Sequence, residues 1–311
     1  MITLNYPEIP VEKKLVATTG FFDGVHIGHQ TILRNIAAEA KRQNKKSCIV
    51  TFWPHPRVVL GKDAETLRML TTIDEKAKII SKLNIDYFYL IPFTQQFSQL
   101  SPKQFFENIL IDKVDISQLY IGYNHHFGRN ARAGFDEIRR IGKTFNIDVF
   151  KTDAVNFGDK KISSTNIRNL IETGDIENAN AMLGYNYCVQ GTVVRGNQIG
   201  RKLGFPTANI QPNAYKMIPK NGVYAATVKI KNTEYKGMLN IGLRPTLNNT
   251  EQSVVEINIF DFDEDNYDIT ISIKFVQRIR DERFFASLDL LKNQLKQDEL
   301  TIREILDKNN Y

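Results

Sequence analysis

Through the first half of the chain, short β-branched or aromatic runs alternate with stretches whose apolar residues recur at helical spacing. The runs Leu15 to Thr19, Cys48 to Trp53, Asp86 to Ile91, Gln118 to Ile121 and Ile147 to Phe150 read as strands. Between the first two, Ile32, Leu33, Ile36, Ala37 and Ala40 form one apolar helix face. Further on, Ser101 and Pro102 read as an N-cap and first helical residue ahead of Phe105, Phe106, Ile109 and Leu110. Strand and helix in alternation predict a parallel sheet covered on both faces, which binds ligands at the carboxyl ends of its strands.

The pattern changes near Gly184-Tyr185. Beyond it, Cys188 to Val194, Gly222 to Ile230, Glu234 to Ile241, Val254 to Phe260 and Tyr267 to Val276 read as short alternating strands, with Gly, Asn and Pro between them and no helical stretch. A small antiparallel barrel is expected. Phe285, Leu288, Leu291 and Leu295 then mark a terminal helix that packs on it. Two domains, 1–184 and 185–311, fit a length of 311 residues.

Composition narrows the class. With 42% apolar and 24% charged residues the chain can bury a core, which excludes a disordered protein. It has no long apolar run and no leader-like N-terminus, so a cytoplasmic protein with no membrane partner is expected. Cys48 and Cys188 lie in strand-like runs without a Cys-x-x-Cys partner and read as buried free thiols. The net charge of +6 is spread evenly, with 24 basic and 20 acidic residues in 1–184 against 17 and 15 in 185–311. That is a weak footprint for nucleic acid and a better fit to local sites for phosphorylated small molecules.

The segment Gly20 to Gln30 leaves the first strand and enters the first helix. Its glycines let the backbone turn tightly against a ligand, and the helix N-terminus offers free N–H groups to phosphate. His26 and His29, three apart, can face one phosphate and donate to charge developing on it. A structural histidine in such a turn is the plainer reading, but it would have to explain two histidines, three glycines and an aspartate together. P-loop, dinucleotide-fingerprint, zincin and hydrolase-elbow patterns are missing from the sequence.

These residues carry a resemblance. The segment resembles the HxGH signature of nucleotidyltransferases in its GxFDGxHxGHQ form, that of the bacterial bifunctional riboflavin kinase/FMN adenylyltransferase, or FAD synthetase, family. Phe52-Trp53-Pro54-His55-Pro56 resembles its FxPHP loop, Ile121 to Gly128 its VGxDFxFG loop, and Ile162 to Arg168 its SSTxIR helix start. The resemblance implies a Rossmann-like α/β domain that transfers adenylyl from ATP to the FMN phosphate and releases pyrophosphate. It assigns His26 and His29 to the transferring phosphoryl group. Gly20, Phe22, Asp23 and Gly28 would shape the nucleotide loop, and Ser163, Ser164, Thr165 and Arg168 would hold the leaving phosphates. Phe52, Pro54, His55, Pro56 and Asn124 would lie on the flavin side. Ser164 or Thr165 reads equally as a plain N-cap, and His55 as a turn residue between prolines. Position 124 is Asn where many members carry Asp, so it cannot bring a full charge to a metal.

A second glycine-rich stretch runs from Gly191 through Gly196 and Gly200 to Gly204, with Arg201 and Lys202 available for charge. Thr207 and Asn209 offer two neutral oxygens, which suit Mg²⁺ already bound to phosphates. Pro206-Thr207-Ala208-Asn209 resembles the PTAN motif of riboflavin kinases, and further matches run to Phe284. The resemblance implies a kinase barrel with Gly191, Gly200, Arg201, Lys202, Gly204, Pro206, Thr207 and Asn209 at the nucleotide. Arg280 and Leu288 would sit on the flavin side and Glu256 would be the base. Val254, Glu256, Asn258 and Phe260 share one strand face, which alone reads as a solvated polar face. Family members usually carry His where this chain has Asn258.

The expected protein uses Mg²⁺ and, as co-substrate at both sites, ATP. Its ligands are riboflavin, FMN, FAD, ADP and pyrophosphate, and its state is a monomer or weak homo-oligomer. Two alternatives stay open: one activity only, prompted by Asn124 and Asn258, or a non-catalytic nucleotide- or RNA-binding protein.

Overall fold

The computed structural model describes residues 1–61, 67–123, 134–196, 199–245, 251–262 and 267–308. Contacts divide the chain into two compact units, Met1–Ser164 and Thr165–Tyr311.

The first unit runs β1 (Ile2–Asn5), β2 (Leu15–Thr19), α1 (Ile27–Arg42), β3 (Ser47–Trp53), α2 (Pro56–Val59), α3 (Ile73–Ile80), β4 (Tyr87–Pro92), α4 (Pro102–Phe105), β5 (Ile116–Gly122), α5 (Phe135–Thr144), β6 (Asp148–Thr152) and a small hairpin, β7 (Asn156–Phe157) with β8 (Lys160–Lys161). The first six strands pair in parallel in the order β1-β4-β3-β2-β5-β6. From β2 the chain builds outwards through β3 and β4, then returns to β5 on the other side. The carboxyl end of β2 is therefore the switch point where such sheets bind ligands.

Every residue of β2 is buried, because alternate side chains feed different cores. Leu15 and Ala17 join Cys48, Val50, Tyr87 and Phe106, while Val16 joins Ile49 and Phe88 with Leu33 and Ile36 of α1 and Ile80 of α3. The Ser101 cap is a full capping box with Gln104, and the helix it starts continues as a π-helical turn, Phe106–Ile111. The edge strand β1 was not expected, since it carries a mostly exposed polar and apolar mix without period.

Helix α6 (Ser164–Thr173) spans the division between units, and α7 (Ile176–Leu183) follows. The second unit continues with β9 (Cys188–Val194), α8 (Ile199–Leu203), β10 (Ala208–Pro212), β11 (Gly222–Ile230), β12 (Thr233–Pro245), β13 (Glu251–Ile259), β14 (Thr270–Arg280) and α9 (Leu288–Lys308). The six strands close an antiparallel barrel in the order β10-β13-β12-β11-β14-β9. Contacts divide the chain at the first residue of α6, whereas sequence texture changes at 184/185, because α7 docks on the barrel. Asn180 donates through Nδ2 to the Phe275 carbonyl at 2.9 Å and accepts from the Tyr187 N–H at 2.7 Å. Helix α9 begins at Leu288 and buries Asp298, Ile302 and Leu306, a stripe further along than the sequence spacing marked. Cys48 is buried as expected; Cys188 is only half-buried.

Candidate active sites

The loop after β2 is held in an unusual conformation. Phe22 has φ 50° and Val25 φ 36°, a region L residues seldom occupy, and Gly24 has φ 77°. Asp23 is buried, and its carboxylate accepts from the Leu70 and Thr71 N–H groups, each at 3.1 Å, and from Thr71 Oγ1 at 3.3 Å. The carboxylate thus ties the loop to the 70–71 segment. Gly20 is crowded by the Phe22 ring, with only 3.0 Å between a β-carbon there and Cε2.

His26 caps α1, its Nδ1 accepting from the His29 N–H at 3.3 Å, so the neutral ring carries its proton on Nε2. The two imidazoles stack with centroids 3.6 Å apart. Burial pulls His26 down to about 4 although Asp23 raises it. Burial first, then His26 and Lys76, hold His29 well below the usual imidazole range. Both rings are neutral donors at pH 7. A β-carbon at Gly28 would press on the His26 ring at 3.3 Å.

Around this loop, Phe21 packs on Phe52, His55 and Phe93, with centroids 5.3, 4.7 and 6.1 Å away. His55 caps α2 by accepting from the Arg57 N–H at 3.2 Å, and Pro54 and Pro56 beside it are half-buried. Ser164 Oγ donates to the Asp23 carbonyl at 2.9 Å, which brings the start of α6 to the loop. Ser163 is half-buried in the first unit, whereas Thr165 and Arg168 lie on α6 in the second. Asn124 lies outside the described residues. Sequence reading missed Lys76, whose Nζ donates to the Phe21 carbonyl at 2.5 Å.

In the barrel, register places chemistry in one row. Asn209 pairs with Glu256, Glu256 with Asn240, Asn240 with Val223, and Val223 with Arg280 across five strands. Directly paired residues share a face. Glu256, Asn240, Val223 and Arg280 line a cavity of about 260 Å³, with Thr207 and Asn258 also in its wall and Leu291 and Leu295 of α9 bordering it. Val255 and Ile257, on the opposite face of β13, are buried. Asn258 donates to the Pro206 carbonyl at 2.7 Å and so fixes the Pro206 loop.

Gly200 also lines this cavity, and a β-carbon there would overlap the Phe205 carbonyl. At Gly196 one would overlap the Asn209 amide. Gly204 has φ 85°, and Gly191 packs against Ile210 and Gln211, so these two have conformational and packing reasons of their own. Arg201 is exposed, and the Lys202 side chain is outside the described structure. Asn209 is buried. Among the described residues, no three His, Cys, Asp or Glu side chains gather to hold a metal. Thr207 and Asn209 still fit Mg²⁺ that arrives on phosphates, as neutral oxygen donors beside the carboxylate of Glu256.

Arg280 does not reach into the cavity alone. Its Nε and Nη2 donate to the Asp298 carboxylate at 2.9 and 2.7 Å, and Gln294 adds a bond to Asp298 at 2.8 Å. Asp298 was not read from the sequence because it sits on an otherwise amphipathic helix. Leu288 is 65% exposed and does not line the cavity; Leu291 and Leu295 do.

A parallel sheet with a histidine pair at its switch point, and a barrel with a carboxylate and an arginine in one cavity, define a two-module nucleotide-using transferase. Residues 8–166 match the FAD synthetase family and residues 183–306 the riboflavin kinase family. The chain is 36% identical over 293 residues to the bifunctional riboflavin kinase/FMN adenylyltransferase of Listeria monocytogenes, covering 94% of this chain and 93% of that one. It is 34% identical over 295 residues to that of Bacillus subtilis, covering 93% and 91%. A crystal structure described as a macrolide-efflux protein from Streptococcus pneumoniae has a TM-score of 0.89 at 30% identity, covering 97% of this chain and 99% of that one. Among the described residues, no helix is long and apolar enough to cross a membrane. The chain belongs to the bifunctional riboflavin kinase/FMN adenylyltransferase family.

Proposed function

We propose that this chain makes FMN from riboflavin and ATP in residues 185–311 and FAD from FMN and ATP in residues 1–184. The observation that carries this reading is the presence on one chain of two separately built sites, the stacked His26–His29 pair and the Glu256 cavity.

In the kinase step Glu256 accepts the proton of the ribityl 5′-hydroxyl as its oxygen bonds to the γ-phosphorus of ATP and ADP leaves. Arg280, oriented by Asp298, faces the same cavity and balances anionic charge in it. Thr207 and Asn209 would hold Mg²⁺, which supplies charge neutralisation at the phosphates. In the adenylyl step an FMN phosphate oxygen bonds to the α-phosphorus as the bond to pyrophosphate breaks. Two neutral imidazoles donate to the charge on the transferring group without being consumed, and the protein's main task is orientation. Ser164, whose Oγ donates to the Asp23 carbonyl, helps to hold the same loop in place.

The test is a time course of purified protein with riboflavin, ATP and Mg²⁺, separating the three flavins. FMN followed by FAD supports the proposal. FMN alone refutes the adenylyl half, and neither product from folded protein refutes both.

A further inference from the structure

Lys76 is 1% exposed, although it sits on an eight-residue helix, α3. Burying an ammonium is costly, and an apolar side chain of that length would fill the space at less cost. Its Nζ donates to the Phe21 carbonyl, on one side of Phe22. On the other side, Asp23 accepts from Leu70 and Thr71, and the Gly24 N–H donates to Thr71 Oγ1 at 3.1 Å. A capping box between Thr72 and Glu75 fixes the start of α3 between these attachments. The 70–76 segment therefore grips the loop on both sides of Phe22, four residues before His26.

The charged and titratable groups acting on His29 are His26 from its own turn and Lys76 from α3, and the carboxylate acting on Lys76 and His26 is Asp23. Burial pulls the Lys76 ammonium down to about 8 while Asp23 raises it, so it remains mostly charged at pH 7.

We propose that Lys76 is a positioning residue for adenylyl transfer, fixing the His26–His29 loop through its hydrogen bond to the Phe21 carbonyl. This rests on the adenylyl-transfer reading above. An ordinary structural lysine would hold the loop without governing the histidine.

The experiment compares wild type, Lys76→Met and Lys76→Arg as full chains. Both flavin steps are read on one sample, and the His29 titration is followed by NMR without substrate. In Lys76→Met, FAD formation falls about a hundredfold, the scale set by a misplacement of about 1 Å. FMN formation is unchanged, and His29 titrates at higher pH than in wild type. In Lys76→Arg, which keeps donor and charge, His29 returns towards its wild-type titration. A Lys76→Met protein that folds yet keeps its FAD rate, or keeps the wild-type His29 titration, overturns the proposal. Should that variant fail to fold, Lys76→Gln, a donor without charge, decides by the same titration. Wild type that makes no FAD would refute the adenylyl reading instead, and the NMR comparison would still judge Lys76.

Discussion

Replacing Asp298 with Ala strips the carboxylate from a buried ion pair while leaving Arg280 in place. The two side chains are 11% and 3% exposed, and Arg280 makes its contacts to Asp298 through Nε and Nη2. Removing one partner of a buried pair costs about 3–5 kcal/mol, because the remaining charge keeps its desolvation penalty. With an m value of about 2 kcal/mol per molar urea, the unfolding midpoint of the second unit falls by roughly 2 M. Residual FMN formation against urea follows that unit. Trp53, the single tryptophan, belongs to β3 and its fluorescence follows the first. The double variant Arg280→Met with Asp298→Leu recovers most of the lost midpoint without recovering FMN formation, since it removes the buried charges but also the cavity's cation. An Asp298→Ala midpoint equal to wild type would refute the reasoning that this pair holds α9 to the barrel.

Three shorter predictions concern the loops. His26 lies at about 4 against an ordinary 6.5, so the unfolded chain binds its proton first as pH falls. Its stability contribution of about 3 kcal/mol is complete above pH 6.5 and is lost between 6.5 and 4. His26→Gln should therefore flatten the fall of urea midpoints between pH 7.5 and 4.5, whereas parallel slopes would count against the burial argument. Gly28→Ala pushes a methyl onto the His26 ring and should lower FAD formation tenfold or more, roughly, with FMN formation intact; an unchanged FAD rate contradicts this. Gly200→Ala collides with the Phe205 carbonyl and should destabilise the barrel by about 1–3 kcal/mol and raise KM for ATP in the kinase step; normal values for both would contradict the crowding seen there.

Much of this architecture was legible because local pattern and tertiary role agree. Strand β2 and helix α1 read correctly from Leu15–Thr19 and from Ile32, Leu33 and Ile36, since all of these are buried in the structure. The His26–His29 loop was legible because glycine and histidine together are dear choices in a turn. Lys76 and Asp298 were not, since a charge in an amphipathic helix looks solvated until the partner that buries it is known. Strand β10 was hidden inside the Pro206–Asn209 motif, whose residues read as loop chemistry while Ala208–Pro212 pairs with β9 and β13. The join of α6 and α7 to the barrel depends on single contacts such as Asn180 with Phe275, which no periodicity encodes.

The most direct test of two independent sites on one chain is to run His29→Ala and Glu256→Ala side by side with riboflavin or with FMN as substrate. His29→Ala should make FMN from riboflavin and no FAD; Glu256→Ala should make no FMN from riboflavin yet convert supplied FMN to FAD. Loss of both steps in either folded variant, or of neither, would contradict the account.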